Sequence, residues 1–118
     1  MIEGAVSGAV LTVTAAGDLD LAERAQFPEL VALAAGEDVE RVVVDLCAVG
    51  FVDSAGASFL VQLAAHAQRD GGAAVLRGAS ENVLYVLRVC GALPAFDLDE
   101  AHRCPPTSSR GPWRVDRG

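Results

Sequence analysis

Apolar and polar positions change period repeatedly along the chain, and each change marks an element. Residues 2–6 and 9–15 are two short runs of β-formers separated by Ser7-Gly8, which predicts a hairpin. In the second run Leu11, Val13 and Ala15 alternate with Val10, Thr12 and Thr14, as in a partly covered strand, and Gly17 is expected to break it. Gly17-Asp18-Leu19-Asp20 then reads as a turn leading into a helix over residues 21–35. Asp20 is its N-cap, Glu23 completes a capping-box-like pattern, and Phe27, Leu30, Val31 and Ala34 form the buried face. Pro28 would cost about 3 kcal/mol inside a regular helix, so a kink or a later start is expected.

The next stretch, residues 41–64, organises the rest. Val42, Val43 and Val44, closed by Asp45-Leu46, mark a strand covered on both faces. Phe51-Val52 leads into Asp53-Ser54-Ala55-Gly56, and Phe59, Leu60, Leu63 and Ala64 fall on one side only if the chain is helical. That helix runs to about Asp70 and ends at Gly71-Gly72. Residues 73–76 form a short buried strand. A third helix follows, with Ser80 as N-cap, Val83, Leu84, Leu87 and Cys90 on its apolar side and Gly91 as its stop. Residues 96–98 suit a last short edge strand. The order ββ-α-β-α-β-α-β implies an α/β domain: a mixed, mostly parallel sheet with an N-terminal hairpin and packed helices. The domain is expected over residues 1–100. Residues 101–118, with three prolines beyond His102 and one tryptophan, Trp113, are expected to be a flexible tail.

Composition narrows the function classes. With 118 residues and 52% hydrophobic content the chain suits one packed domain. No apolar run approaches the roughly 18 residues of a membrane span, and the start, MIEGAVSG, lacks signal-peptide character, so a cytoplasmic protein is expected. The net charge is −7, and the nine basic residues are all arginines scattered singly. Without a basic stripe, direct nucleic-acid binding is excluded and a protein partner favoured. Cys47, Cys90 and Cys104 have no metal-site spacing, so no metal is expected. Cys47 and Cys90 read as small core fillers, and Cys104, beside Pro105-Pro106, as an exposed free thiol.

Candidate chemistry centres on Ser54. It lies where a helix begins, among unpaired N–H groups and the positive end of the helix dipole. A serine there is ordinarily a cap. A nucleophilic role finds little support. Val52 replaces the first glycine of a G-x-S-x-G elbow, and His66 lies about 18 Å further along the same helix. Only His102 remains as a base. A receiver-type aspartyl phosphate at Asp45 would need a lysine, and the chain has none. No phosphate-binding glycine motif is present, and Gly71-Gly72 serves as a helix stop. What remains is a regulated acceptor, at which phosphorylation would add about −1.5 to −2 charges beside Asp53.

Four segments carry a resemblance: Gly17-Asp18-Leu19-Asp20, Val43-Val44-Asp45-Leu46, Phe51-Val52-Asp53-Ser54-Ala55-Gly56, and Arg88-Val89-Cys90-Gly91-Ala92-Leu93 followed by Phe96. Over residues 9–98 the chain resembles a STAS domain of the anti-sigma factor antagonist type. The resemblance implies a non-enzymatic switch without cofactors of its own. The unphosphorylated antagonist would bind an anti-sigma factor that is also a serine kinase, freeing a sigma factor. The kinase would phosphorylate Ser54 and release the antagonist, and a serine phosphatase would reset it. ATP and magnesium would belong to the kinase. Asp18, Asp20, Asp53, Ser54, Ala55 and Gly56 would form the partner face. The same resemblance admits an accessory subunit of a transport system, or a scaffold or ligand-sensing module. It leaves pairing with a second copy open.

Overall fold

A computed structural model describes residues 1–69 and 71–105. Strands β1 (Ile2–Ser7) and β2 (Val10–Leu19) pair antiparallel, and Gly8 turns between them at φ 61°. Strands β3 (Arg41–Val52), β4 (Ala73–Arg77) and β5 (Asp97–Asp99) continue the sheet in parallel. The spatial order, β1-β2-β3-β4-β5, is the chain order. Each β-α-β unit thus steps the same way, and right-handed crossovers place all three helices on one face. These are α1 (Phe27–Ala34), α2 (Ser54–Gln68) and α3 (Glu81–Val89).

The register shows how the core follows. Leu11, Val42 and Ala74 lie side by side across the sheet, with Val13, Val44 and Leu76 in the next row, all buried beneath the helices. Thr12, Val43 and Val75 belong to the opposite face, where Val43 is only half-buried. The valine run is therefore fully covered on one face, not both, because the monotonic strand order supplies no helix to the second.

Two breaks expected from the sequence do not occur. Gly17 does not end β2, and Asp18 and Leu19 are strand residues paired with Phe51 and Val52 of β3. Glycine enters the left-handed region at Gly17 (φ 81°) without a side-chain clash. Register shifts between Thr14 and Ala16 and between Gly17 and Asp18 absorb the extra residues of β3 as bulges. β3 likewise runs unbroken past the valines, anchored by buried Val49 and Val52.

Pro28 resolves as a later start. Residues Leu21–Gln26 form a 3-10 helix, and α1 begins at Phe27, which puts the proline in the first turn. There its missing N–H breaks no helical bond. The Glu23 carboxylate accepts from Gln26 Nε2 at 3.1 Å, and the return bond to Asp20 that a capping box requires is not formed. Ser80 does cap α3, accepting from the Val83 N–H at 3.2 Å. On α3, Val83 and Leu87 are buried, whereas Cys90 is the exposed C-cap and not a core filler.

The other cysteines also depart from expectation. Cys47 and Cys104 are joined in a disulfide across 57 residues. After β5 the chain turns back towards β3, so residues 101–105 are tied to the sheet and not loose. The remainder of the expected tail, with Trp113, lies outside the described residues.

Phe27 and Phe59 stack at a centroid distance of 4.2 Å and 8° between planes, joining α1 to α2. Phe59 is 1% exposed. Phe59→Ala is expected to destabilise the fold by about 3–5 kcal/mol. A urea titration with an unmoved midpoint would contradict that.

Candidate functional site

The site is built where β2 and β3 end together, the end of a parallel sheet at which the strands hand over to helices. Pairing of Asp18 with Phe51 and Leu19 with Val52 brings the two chain exits side by side. One exit leads into the 3-10 helix and the other into α2, so two helix N-termini meet. Each carries donors without an intrahelical acceptor.

Asp53 serves both. Its Oδ1 accepts from the Gly56 N–H at 2.8 Å, capping α2, and its Oδ2 accepts from the Leu21 N–H at 3.0 Å, 32 residues away in sequence. Its own N–H donates to the Leu19 carbonyl at 3.3 Å. Asp20 caps the 3-10 helix, its Oδ1 accepting from the Ala22 N–H at 3.0 Å. Gly56 lets α2 approach the end of β2: a Cβ there would collide with the Leu19 carbonyl oxygen.

With Asp53 as the cap, Ser54 is the first residue of α2, not the cap that a serine ahead of a helix ordinarily is. Its side chain is exposed, and its hydroxyl has no hydrogen-bond partner among the described residues. Asp18 is exposed on the β2 end, Asp20 and Asp53 are half-buried, Ala55 is half-buried and Gly56 buried. The six residues singled out from sequence thus lie at the adjoining ends of β2, β3 and α2, Asp53 tying the two chain exits together.

Neither histidine attends that hydroxyl. His66 lies in the last turn of α2, its Nδ1 at 3.3 Å from Arg69, and His102 lies against Cys47 at 3.4 Å. A nucleophilic serine is ordinarily activated by a base in hydrogen-bond contact, and among the described residues Ser54 has none.

The structure adds residues that the sequence reading passed over. Ser58, one turn beyond Ser54, is exposed on the same side of α2. A groove of about 440 Å³ between α2 and the end of α3 is lined by Ser54, Ser58, Val61 and Cys90. On the other flank, a groove of about 650 Å³ between α1 and α2 includes Val31, Ala55, Ser58 and Phe59. Phe51, Val61 and Val89 are large apolar side chains left exposed, Phe51 directly before the loop. The one signal in the sequence for these was surplus: more apolar positions than the buried stripe of each helix needs.

Comparison with known proteins adds context. A family described as "Mlab, STAS domain" matches residues 4–92. No curated protein sequence matches the chain. Among solved structures, the Bacillus cell fate determinant SpoIIAA in its phosphorylated form is similar with a TM-score of 0.65 and 17% identity, over 83% of this chain and 90% of that one. An anti-sigma factor antagonist from Mycobacterium paratuberculosis gives 0.69 and 17%, over 83% of each chain. The murine anion transporter Slc26a9 gives 0.62 and 19%, over 78% of this chain and 16% of the transporter.

The double role of Asp53 makes a specific expectation. Asp53→Ala should cost about 1–2 kcal/mol for the cap and about 1 kcal/mol more for the bond to Leu21. Amide hydrogen exchange should accelerate at Leu21 and Gly56 together. Acceleration at Gly56 alone would show that the bridge between the helices carries no weight.

Proposed function

The chain belongs to the STAS domain family, and on that premise we propose that it is an anti-sigma factor antagonist switched by phosphorylation of Ser54. The observation that carries this reading is the division of labour at the start of α2. Asp53 takes the cap, and Ser54 is left exposed with its hydroxyl unengaged. The fold it shares with anti-sigma factor antagonists supports the reading. Place of action is the cytoplasm, and no helix among the described residues is long and apolar enough to cross a membrane.

In the unmodified state the partner, an anti-sigma factor with serine kinase activity, sits over the corner formed by Asp18, Asp20, Asp53, Ser54, Ala55 and Gly56. The flanking grooves and Phe51 add apolar area. The kinase holds ATP and magnesium. Ser54 Oγ attacks the γ-phosphorus, ADP departs, and the hydroxyl proton passes to a base of the kinase. The product carries about −1.5 to −2 charges at the first residue of a helix, where the dipole favours them. The fold is therefore kept. The partner, fitted to a neutral hydroxyl, instead meets a phosphate added to three carboxylates. A loss of about 3 kcal/mol at that contact lowers affinity more than a hundredfold. A serine phosphatase returns inorganic phosphate and the free hydroxyl by attack of water.

A second reading rests on the likeness to Slc26a9: the domain serves as an accessory or scaffold module without a switch. The two differ at Ser54. Intact-mass spectrometry of the protein from its native host is expected to show a single added phosphate that disappears in Ser54→Ala. Its absence under every growth condition would favour the accessory role. In a pull-down from host extract, Ser54→Ala should retain the kinase and Ser54→Glu should lose it, by a hundredfold or so in affinity. Equal retention would overturn the switch.

A further inference from the structure

We propose that Cys47, His102 and Cys104 form a binding site for a thiophilic divalent cation of the zinc class, available when the two cysteines are thiols. The site is separate from the Ser54 corner and does not depend on the function proposed for it.

The three side chains come from distant parts of the chain. Cys47 sits in the bulged part of β3, just past Asp45, where the pairing of β3 with β4 ends. Its N–H donates to Asp45 Oδ1 at 2.9 Å, and Asp45 is held in turn by Arg77 Nε at 3.2 Å, so the backbone that presents Cys47 is fixed from both sides. His102 and Cys104 arrive from the segment after β5. Both sulfurs and an imidazole nitrogen lie within 4.8 Å of one another, and each residue is half-buried.

That donor set is the one zinc prefers, two thiolates and an imidazole. With Zn–S about 2.3 Å and Zn–N about 2.0–2.1 Å, a tetrahedral site places sulfur and nitrogen about 3.5 Å apart. His102 Nε2 stands 3.4 Å from Cys47 Sγ. One edge of the coordination tetrahedron is thus already set, and only Cys104 has to move. Cys104 lies on the terminal segment, so its adjustment disturbs no strand. With three protein ligands among the described residues, a fourth position is left for a further ligand.

Gly78 makes room for the two sulfurs. It turns at φ 77°, and a Cβ there would collide with Cys47 Sγ and crowd Cys104 Sγ. The end of β4 is therefore shaped around the two sulfurs. No contact of the Ser54 corner makes use of that space.

The disulfide and the metal site exclude each other. Reduction breaks the S–S bond with two electrons and two protons from a thiol reductant, itself oxidised to a disulfide. The cation then displaces a proton from each thiol as it binds. In any compartment with a reducing thiol pool such pairs are kept reduced, and there the metal-ready form is the one held.

Cobalt(II) is the probe. The full chain is reduced with a phosphine, which takes its oxygen from water to become the phosphine oxide, and is then freed of reductant without air. Titration is expected to give thiolate-to-cobalt charge transfer and the visible bands of a tetrahedral ion, saturating at one equivalent and abolished by zinc. Cys104→Ser, outside the sheet, should remove the tetrahedral spectrum while leaving circular dichroism unchanged. His102→Ala should weaken binding at least tenfold. Oxidised protein should bind none. No charge-transfer band in the reduced chain, or equal binding by His102→Ala, would overturn the site. If Cys104→Ser binds as the wild type does, the ligand set is wrong and the proposal falls.

Discussion

One carboxylate sets the geometry of the candidate site. Asp53 caps α2 with one oxygen and holds the first turn of the 3-10 helix with the other. Two helices that begin at neighbouring strand ends share a single acceptor. Their N-termini are thereby held within the reach of one short side chain. Gly56 is a corollary of that arrangement, since a Cβ there would collide with the Leu19 carbonyl, which accepts from the Asp53 N–H. The exposed position of Ser54 follows too: once Asp53 is the cap, the next residue must be the first of the helix.

Behind that corner the sheet behaves as one layer with one covered face. Because strand order equals chain order, the apolar rows of β2, β3 and β4 meet a single tier of helices. The stack of Phe27 on Phe59 ties the two helices nearest the site into that tier. Rigidity at the Ser54 corner is therefore inherited from the core and does not have to be built by the loop itself.

Much of this was legible in the sequence where a period is long enough to be unambiguous. The alternation through Leu11, Val13 and Ala15 and the helical spacing of Phe59, Leu60, Leu63 and Ala64 specify both type and orientation. Strand ends were harder. Gly17 and Gly50 interrupt the alternation, and glycine marks a break or a bulge with the same letter. Asp53 and Ser54 are both good caps by residue type, and only the Leu21 N–H waiting across the gap decides between them. The partnership of Cys47 with Cys104 had no local trace at all. A 57-residue separation leaves no spacing to read, and Cys47 alternates with core positions closely enough to pass for one.

The shortness of β5 bears on how this protein meets others. Its unpaired side offers at most three residues of backbone, two of them aspartates. Short, charged edges discourage the addition of a foreign strand, a common route by which extended peptides bind sheets. At that border association is left to side-chain surfaces, where a single covalent change can alter the outcome, and not to backbone ladders, which are indifferent to what a side chain carries.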